Sequence, residues 1–167
     1  MDTPPPGPRW SGHPFTEADT AAVMDFFTEA DFFFRTAEPD TLSQAEVLAL
    51  LADDTHVLVA DGEPVGLYAV ESPPMGRDHY CHFHLNFRLR ADAPQQWWAS
   101  AYHEVVQSVR WRTEVIRLAV LFGEFDERGL AAARAIGLTD EGTLANTVVR
   151  GGQRYGYVYF SQIWAVS

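Results

Sequence analysis

Residues Asp78–Arg90 read DHYCHFHLNFRLR, and their strict alternation decides the fold class. Cys81, Phe83, Leu85, Phe87 and Leu89 point one way along an extended chain, and Tyr80, His82, His84, Asn86, Arg88 and Arg90 point the other. Only a strand with one apolar and one polar face carries that pattern. Upstream, Thr55–Ala60 and Pro64–Ser72 are two strands joined by a tight Asp61-Gly62 turn. Downstream, Gln95–Trp111 has a helical face of Trp98, Ala101, Tyr102, Val105 and Val109. Val115–Phe122 is nearly continuous apolar, as a central buried strand is. A helix from Glu127 to Ile136 stops at Gly137, and strands Thr143–Arg150 and Arg154–Trp164 flank Gly151-Gly152.

Two helices precede the first hairpin. Thr16 caps one that runs to about Glu29, with Asp19 at its third position and Val23, Phe26 and Phe27 on its apolar side. Ser43 and Glu46 form the capping box of the second, with Leu42 and Val47 placed as a hydrophobic staple. The aromatic run Phe32-Phe33-Phe34 between them reads as a buried turn or short strand. Residues 1–9 are a proline-rich, flexible tail and 10–167 a single α+β domain, since neither repeat nor linker interrupts them.

Composition narrows the function. The 167 residues carry 12 basic side chains, all arginine, against 23 acidic ones, for a net charge of −11. No arginines cluster beyond pairs such as Arg88/Arg90, which argues against nucleic acid and anionic membrane as partners. No apolar run approaches the roughly 18 residues of a membrane helix. Met1–Arg9 lacks the basic and apolar character of a signal peptide, and Cys81 has no disulfide partner in the chain. A cytoplasmic location is the simplest expectation. The acidic field attracts a small amine, though it also serves solubility.

The order helix, helix, hairpin, long strand, helix, buried strand, helix, hairpin resembles the GNAT N-acetyltransferase superfamily. Asp126–Gly142, DERGLAAARAIGLTDEG, is similar to the stretch where the ribosomal-protein-alanine acetyltransferase branch carries Asn, a helix, Gly-Phe and Glu-Gly. Asp126 stands at the Asn position, Gly137-Leu138 replaces Gly-Phe, and Glu141-Gly142 is kept. The hairpin DGEPVGLYAV, Asp61–Val70, is also family-like. The resemblance implies a central mixed, mostly antiparallel sheet flanked by about four helices. It also implies acyl transfer from acetyl-CoA to a small-molecule amine or N-terminal amino group, and a possible homodimer. On the coenzyme side it puts Asn86, Phe87, Arg88, Arg90, Gln95 and Asp126.

One family motif is altered. GNAT enzymes hold the coenzyme diphosphate on a Q/R-x-x-G-x-G/A loop after the long strand, whose backbone N–H groups face the anion. Here that loop is Arg90-Ala91-Asp92-Ala93-Pro94-Gln95, with Ala93, Pro94 and Gln95 in place of Gly-x-Gly/Ala. Asp92 and Gln95 read as a capping pair that puts a carboxylate where the diphosphate belongs. Ala133 stands where many members have a tyrosine acid. A GNAT-fold protein that has lost coenzyme A, and does other chemistry or only binds a ligand, is therefore the alternative.

Acyl transfer to an amine needs a base and oxyanion donors. His82 and His84 lie two residues apart on the polar strand face, with Glu71 on the neighbouring strand able to orient one of them. The competing reading is a polar face in which each imidazole is hydrogen-bonded and inert. His-x-His is also a metal-ligand spacing, with Asp78 and His79 nearby, but no third and fourth ligand follow, so no metal is expected. Trp97-Trp98 and Tyr155/Tyr157/Tyr159 could line an aromatic pocket, or be core.

Overall fold

The computed structural model describes residues 7–51, 53–72 and 81–165; Asp78, His79 and Tyr80 lie outside them, as do residues 1–6 of the tail. Among the described residues seven strands form one sheet: β1 Trp10–Pro14, β2 Thr55–Ala60, β3 Glu63–Glu71, β4 His82–Leu89, β5 Arg117–Gly123, β6 Thr139–Arg150 and β7 Gln153–Ile163. Their order is β1-β2-β3-β4-β5-β7-β6. Every neighbouring pair is antiparallel except β4 and β5. The α-helices are α1 Thr20–Phe26, α2 Gln44–Leu50, α3 Trp97–Arg112 and α4 Glu127–Ile136. This is the mixed, mostly antiparallel α+β architecture expected above.

The period-2 pattern divides the core between the two faces of the sheet. Val57, Val59, Leu67 and Ala69 pack with Val23, Phe26, Phe32 and Val47 on the α1 and α2 side. Their alternates Leu58, Ala60 and Tyr68 join Leu85, Phe87, Leu89, Trp98 and Tyr102 on the α3 side. The apolar set of β4 thus faces α3, and His84 and Asn86 face the opposite side of the sheet.

The parallel ladder between β4 and β5 covers only His82↔Arg117, Phe83↔Leu118 and His84↔Ala119. Beyond His84, β4 keeps its pairing with β3 as far as Gly66↔Leu89, while β5 keeps its pairing with β7 to Gly123↔Tyr157. The two parallel strands therefore part, and a gap opens in the middle of the sheet. Gly66 holds β3 close to β4: a Cβ there would sit 2.2 Å from the Arg88 carbonyl oxygen. That neighbour is backbone and cannot swing away, so Gly66→Ala is expected to lose about 1–3 kcal/mol of stability. A thermal melt within a degree of wild type would contradict the close approach.

Three expectations need correction, and β1 was not expected. Cys81 has a left-handed backbone, φ 65°, so the long strand begins after it, at His82, and Cys81 is a turn residue. β1 escapes the pattern because WSGHP is exposed and ends in proline, both properties of an edge strand. The first helix stops at Phe26, not Glu29, since Phe32 folds back onto Phe26 and Phe27 with ring centroids 5.2 Å from each. The Asp92/Gln95 cap does not form: α3 starts at Trp97 with Gln96 as its cap residue and no side-chain cap. Asp92 instead accepts from Arg90 Nη2 at 2.7 Å, and the Trp97 and Trp98 N–H groups bond back to Pro94 and Gln95. The capping box at Ser43 forms as read, with Glu46 N–H donating to Ser43 Oγ and Ser43 N–H to Glu46 Oε2. Among the described residues no helix is long and apolar enough to cross a membrane.

Candidate functional site

Where β4 leaves β5, a cleft of about 250 Å³ lies against the polar side of β4. His84, Asn86 and Glu71 form one wall, Leu121, Phe122, Gly123, Phe125 and Tyr157 another, and Phe33, Arg35 and Thr36 cover it. The turn after α1 delivers that cover. Arg35 has a left-handed backbone, φ 57°, which costs a non-glycine residue about 1–2 kcal/mol. Its guanidinium offsets this by donating to Asp54 at 2.8 and 3.0 Å, to Leu50 O at 2.9 Å, to Thr55 Oγ1 at 3.0 Å and to Glu71.

Glu71 pairs with His84 across the β3–β4 ladder, yet its hydrogen bonds go elsewhere. Its Oε1 accepts from Arg35 Nε at 2.8 Å and from Asn86 Nδ2 at 2.9 Å. Glu71 therefore fixes Asn86 and Arg35, not an imidazole, and reaches His84 through charge alone. The His84 imidazole makes no hydrogen bond among the described residues. Burial lowers its pKa below the ordinary 6.5, Glu71 pulls it up, and Arg117 pushes it down.

His82 has a different environment. Arg117 Nε donates to His82 Nε2 at 3.2 Å, which occupies the lone pair a base would use. The same arginine forms a two-pronged pair with Glu141, whose Oε1 also accepts from Ser161 Oγ at 2.8 Å. Arg117 holds the Glu141 carboxyl at a pKa of about 2. The two histidines, equivalent in the sequence, thus part company: one is tied to a charged network and one faces the cleft.

The residues expected on a coenzyme do not converge on one open site. Phe87 is buried in the core facing α3. Arg88 is 0% exposed and donates from Nη1 to Asp126, itself 2% exposed. Asp126 also caps α4 by accepting from Gly129 N–H at 2.9 Å. The Arg88 guanidinium lies 5.1 Å from the Phe33 ring centre and 5.3 Å from that of Trp98, so aromatic faces stand in for part of its lost hydration. Among the described residues its Nε and Nη2 and the Trp98 Nε1 have no hydrogen-bond partner, though Nη2 lies 4.0 Å from Asp31 Oδ2. Neither Arg88 nor Asp126 is open to a phosphate. Arg90 is engaged by Asp92, Gln95 is exposed, and Asn86 belongs to the cleft.

The loop itself, Arg90–Gln96, is partly filled. Ala91 N–H donates to Glu29 Oε2 at 2.9 Å, Ala93 N–H to Arg90 O at 3.1 Å, and Pro94 has none to give. Asp92 and Glu29 add two carboxylates. As it stands, the loop does not fit a diphosphate. Among the described residues no group of three or more His, Cys, Asp or Glu side chains could hold a metal ion.

The overall fold has counterparts among solved structures. A ribosomal-protein-alanine N-acetyltransferase from Brucella melitensis superposes with a TM-score of 0.71 at 16% identity, over 92% of this chain and 99% of that one. A GNAT-family acetyltransferase from Bacillus anthracis gives 0.75 at 10% identity, over 95% and 96%. The fold is that of the GNAT acetyltransferases. A ribosomal L7/L12 alpha-N-protein acetyltransferase in complex with coenzyme A shares the GNAT fold with this chain at a TM-score of 0.74 and 12% identity, over 92% and 93%. No family model matches the chain, and no curated protein does.

Arg35, Glu29 and the Arg88–Asp126 pair are the residues that sequence reasoning missed or misplaced. Arg35 has no periodic signal, and only its place after three phenylalanines marks it. The pairing of Arg88 with Asp126 spans 38 residues and depends on the α4 cap lying opposite β4.

Proposed function

We propose that this chain is a GNAT-fold N-acyltransferase that acts on a small-molecule amine or an N-terminal amino group, with His84 as the base. The observation that carries this is the half-buried imidazole of His84, without a hydrogen bond among the described residues, facing the cleft where β4 and β5 separate. A base for an ammonium group must itself be neutral, and burial keeps His84 neutral at physiological pH. The substrate ammonium enters a cleft whose wall carries the Glu71 carboxylate. His84 accepts one of its protons, and the imidazolium so formed is stabilised by Glu71 across the ladder. The uncharged amine is then the nucleophile. Asn86, fixed by Glu71, and Tyr157, whose hydroxyl burial keeps protonated, complete the polar wall.

The similarity to GNAT structures, one of them holding coenzyme A, makes an acyl thioester the donor in this reading, and acetyl-CoA the first to try. A second reading, a GNAT-fold protein without coenzyme, is favoured by Glu29 on the Ala91 N–H. Incubation of a panel of small amines and short peptides with acetyl-CoA or acetyl-pantetheine separates the two. Release of thiol with matching acylation of an amine, read by mass spectrometry, is the expected result. Amine binding with no transfer from either donor would support the second reading.

A further inference from the structure

We propose that Glu29 occupies the place of the donor's diphosphate, as an internal anion that selects against nucleotide-linked acyl thioesters. This rests on the acyltransferase reading. α1 ends early, at Phe26, and the turn that follows brings Glu29 to a loop 62 residues away in the chain. There its carboxylate takes the Ala91 N–H at 2.9 Å, the contact a phosphate oxygen makes with a backbone donor.

The surroundings hold this arrangement. Arg128 donates from Nη2 to Leu89 O at 3.0 Å and Arg90 O at 2.8 Å, so the start of the loop is braced from α4. Its Nη1 donates to Asp31 at 2.9 Å. Glu29, Asp31 and Asp92 are then three carboxylates beside the guanidiniums of Arg90 and Arg128, while Arg88 is buried against Asp126. A second anion meets net negative charge and one donor fewer. Burial raises the Glu29 pKa, and the Ala91 N–H and Arg128 work against that rise.

Calorimetric titration with acetyl-CoA and with acetyl-pantetheine, which lacks the diphosphate, tests the assignment on wild type, Glu29→Ala and Glu29→Gln. Glu29→Ala is expected to bind acetyl-CoA roughly tenfold more tightly, the usual scale for one charge beside backbone donors. Its affinity for acetyl-pantetheine should not change. Glu29→Gln, which removes the charge and keeps an acceptor for Ala91, should fall between them and guards against a folding defect in the alanine variant. Acetyl-CoA affinity equal in all three proteins overturns the proposal, whether that affinity is high or low. If Glu29→Ala gains acetyl-CoA but no amine is acylated, the role of Glu29 stands and the acyltransferase reading falls. Acetyl-pantetheine turnover without any gain for acetyl-CoA gives the converse.

Discussion

His84→Ala is expected to lower kcat for amine acylation by roughly two to four orders of magnitude, the range for loss of a general base. The protein should fold as before, because the imidazole makes no hydrogen bond among the described residues and is only half buried. Wild-type activity should rise with pH through the His84 pKa, which burial sets below 6.5. The acid limb of the kcat/KM profile then lies below that value and is absent in His84→Ala. His82→Ala should behave differently. It removes the acceptor of one Arg117 hydrogen bond, and its expected cost is stability near the Glu141 network, with the acid limb kept. Equal loss of activity in both variants with unchanged pH profiles would contradict the assignment.

Asp126→Ala is expected to have the largest effect on stability. It leaves the fully buried Arg88 guanidinium with only the Asp31 carboxylate, 4.0 Å from Nη2, in place of its hydrogen-bonded partner, and breaking a buried ion pair costs about 3–5 kcal/mol. Loss of the α4 cap adds about 1 kcal/mol. A domain of this size has about 5–15 kcal/mol in total, so the variant should be close to unfolding at room temperature. The double variant Arg88→Met/Asp126→Ala removes both charges and should recover a good part of the loss. Denaturant melts of the two singles and the double measure the coupling; simple addition of the single losses would show that the pair is not coupled.

The legible part of this molecule is the part written in local periods. The β4 alternation, the Ser43 capping box and the Gly137 stop each lie within a few residues, and each has the conformation those residues favour. The order of elements then restricts the sheet to few topologies. The site is less legible because its contacts join distant segments: Arg35 to Glu71 across 36 residues, Arg88 to Asp126 across 38, Glu29 to Ala91 across 62. Which arginine is buried, and which carboxylate fills a loop, depends on how the gap between β4 and β5 is packed. That is why Arg88 and Arg90, alike in the sequence, have opposite fates, and why Asp92 was expected in the role that Glu29 takes. The histidine pair divides for the same reason, since Arg117 is brought to His82 by the parallel ladder.

The central claim is that an amine is deprotonated by His84 in the cleft. NMR titration of the histidine ring protons, in wild type and His84→Ala, while the best amine from the panel is added, tests it directly. The account predicts one resonance with an apparent pKa below 6.5, missing from His84→Ala, that shifts as the amine saturates the protein. An amine that is acylated while this resonance stays still, with the His82 signal moving in its place, would contradict it.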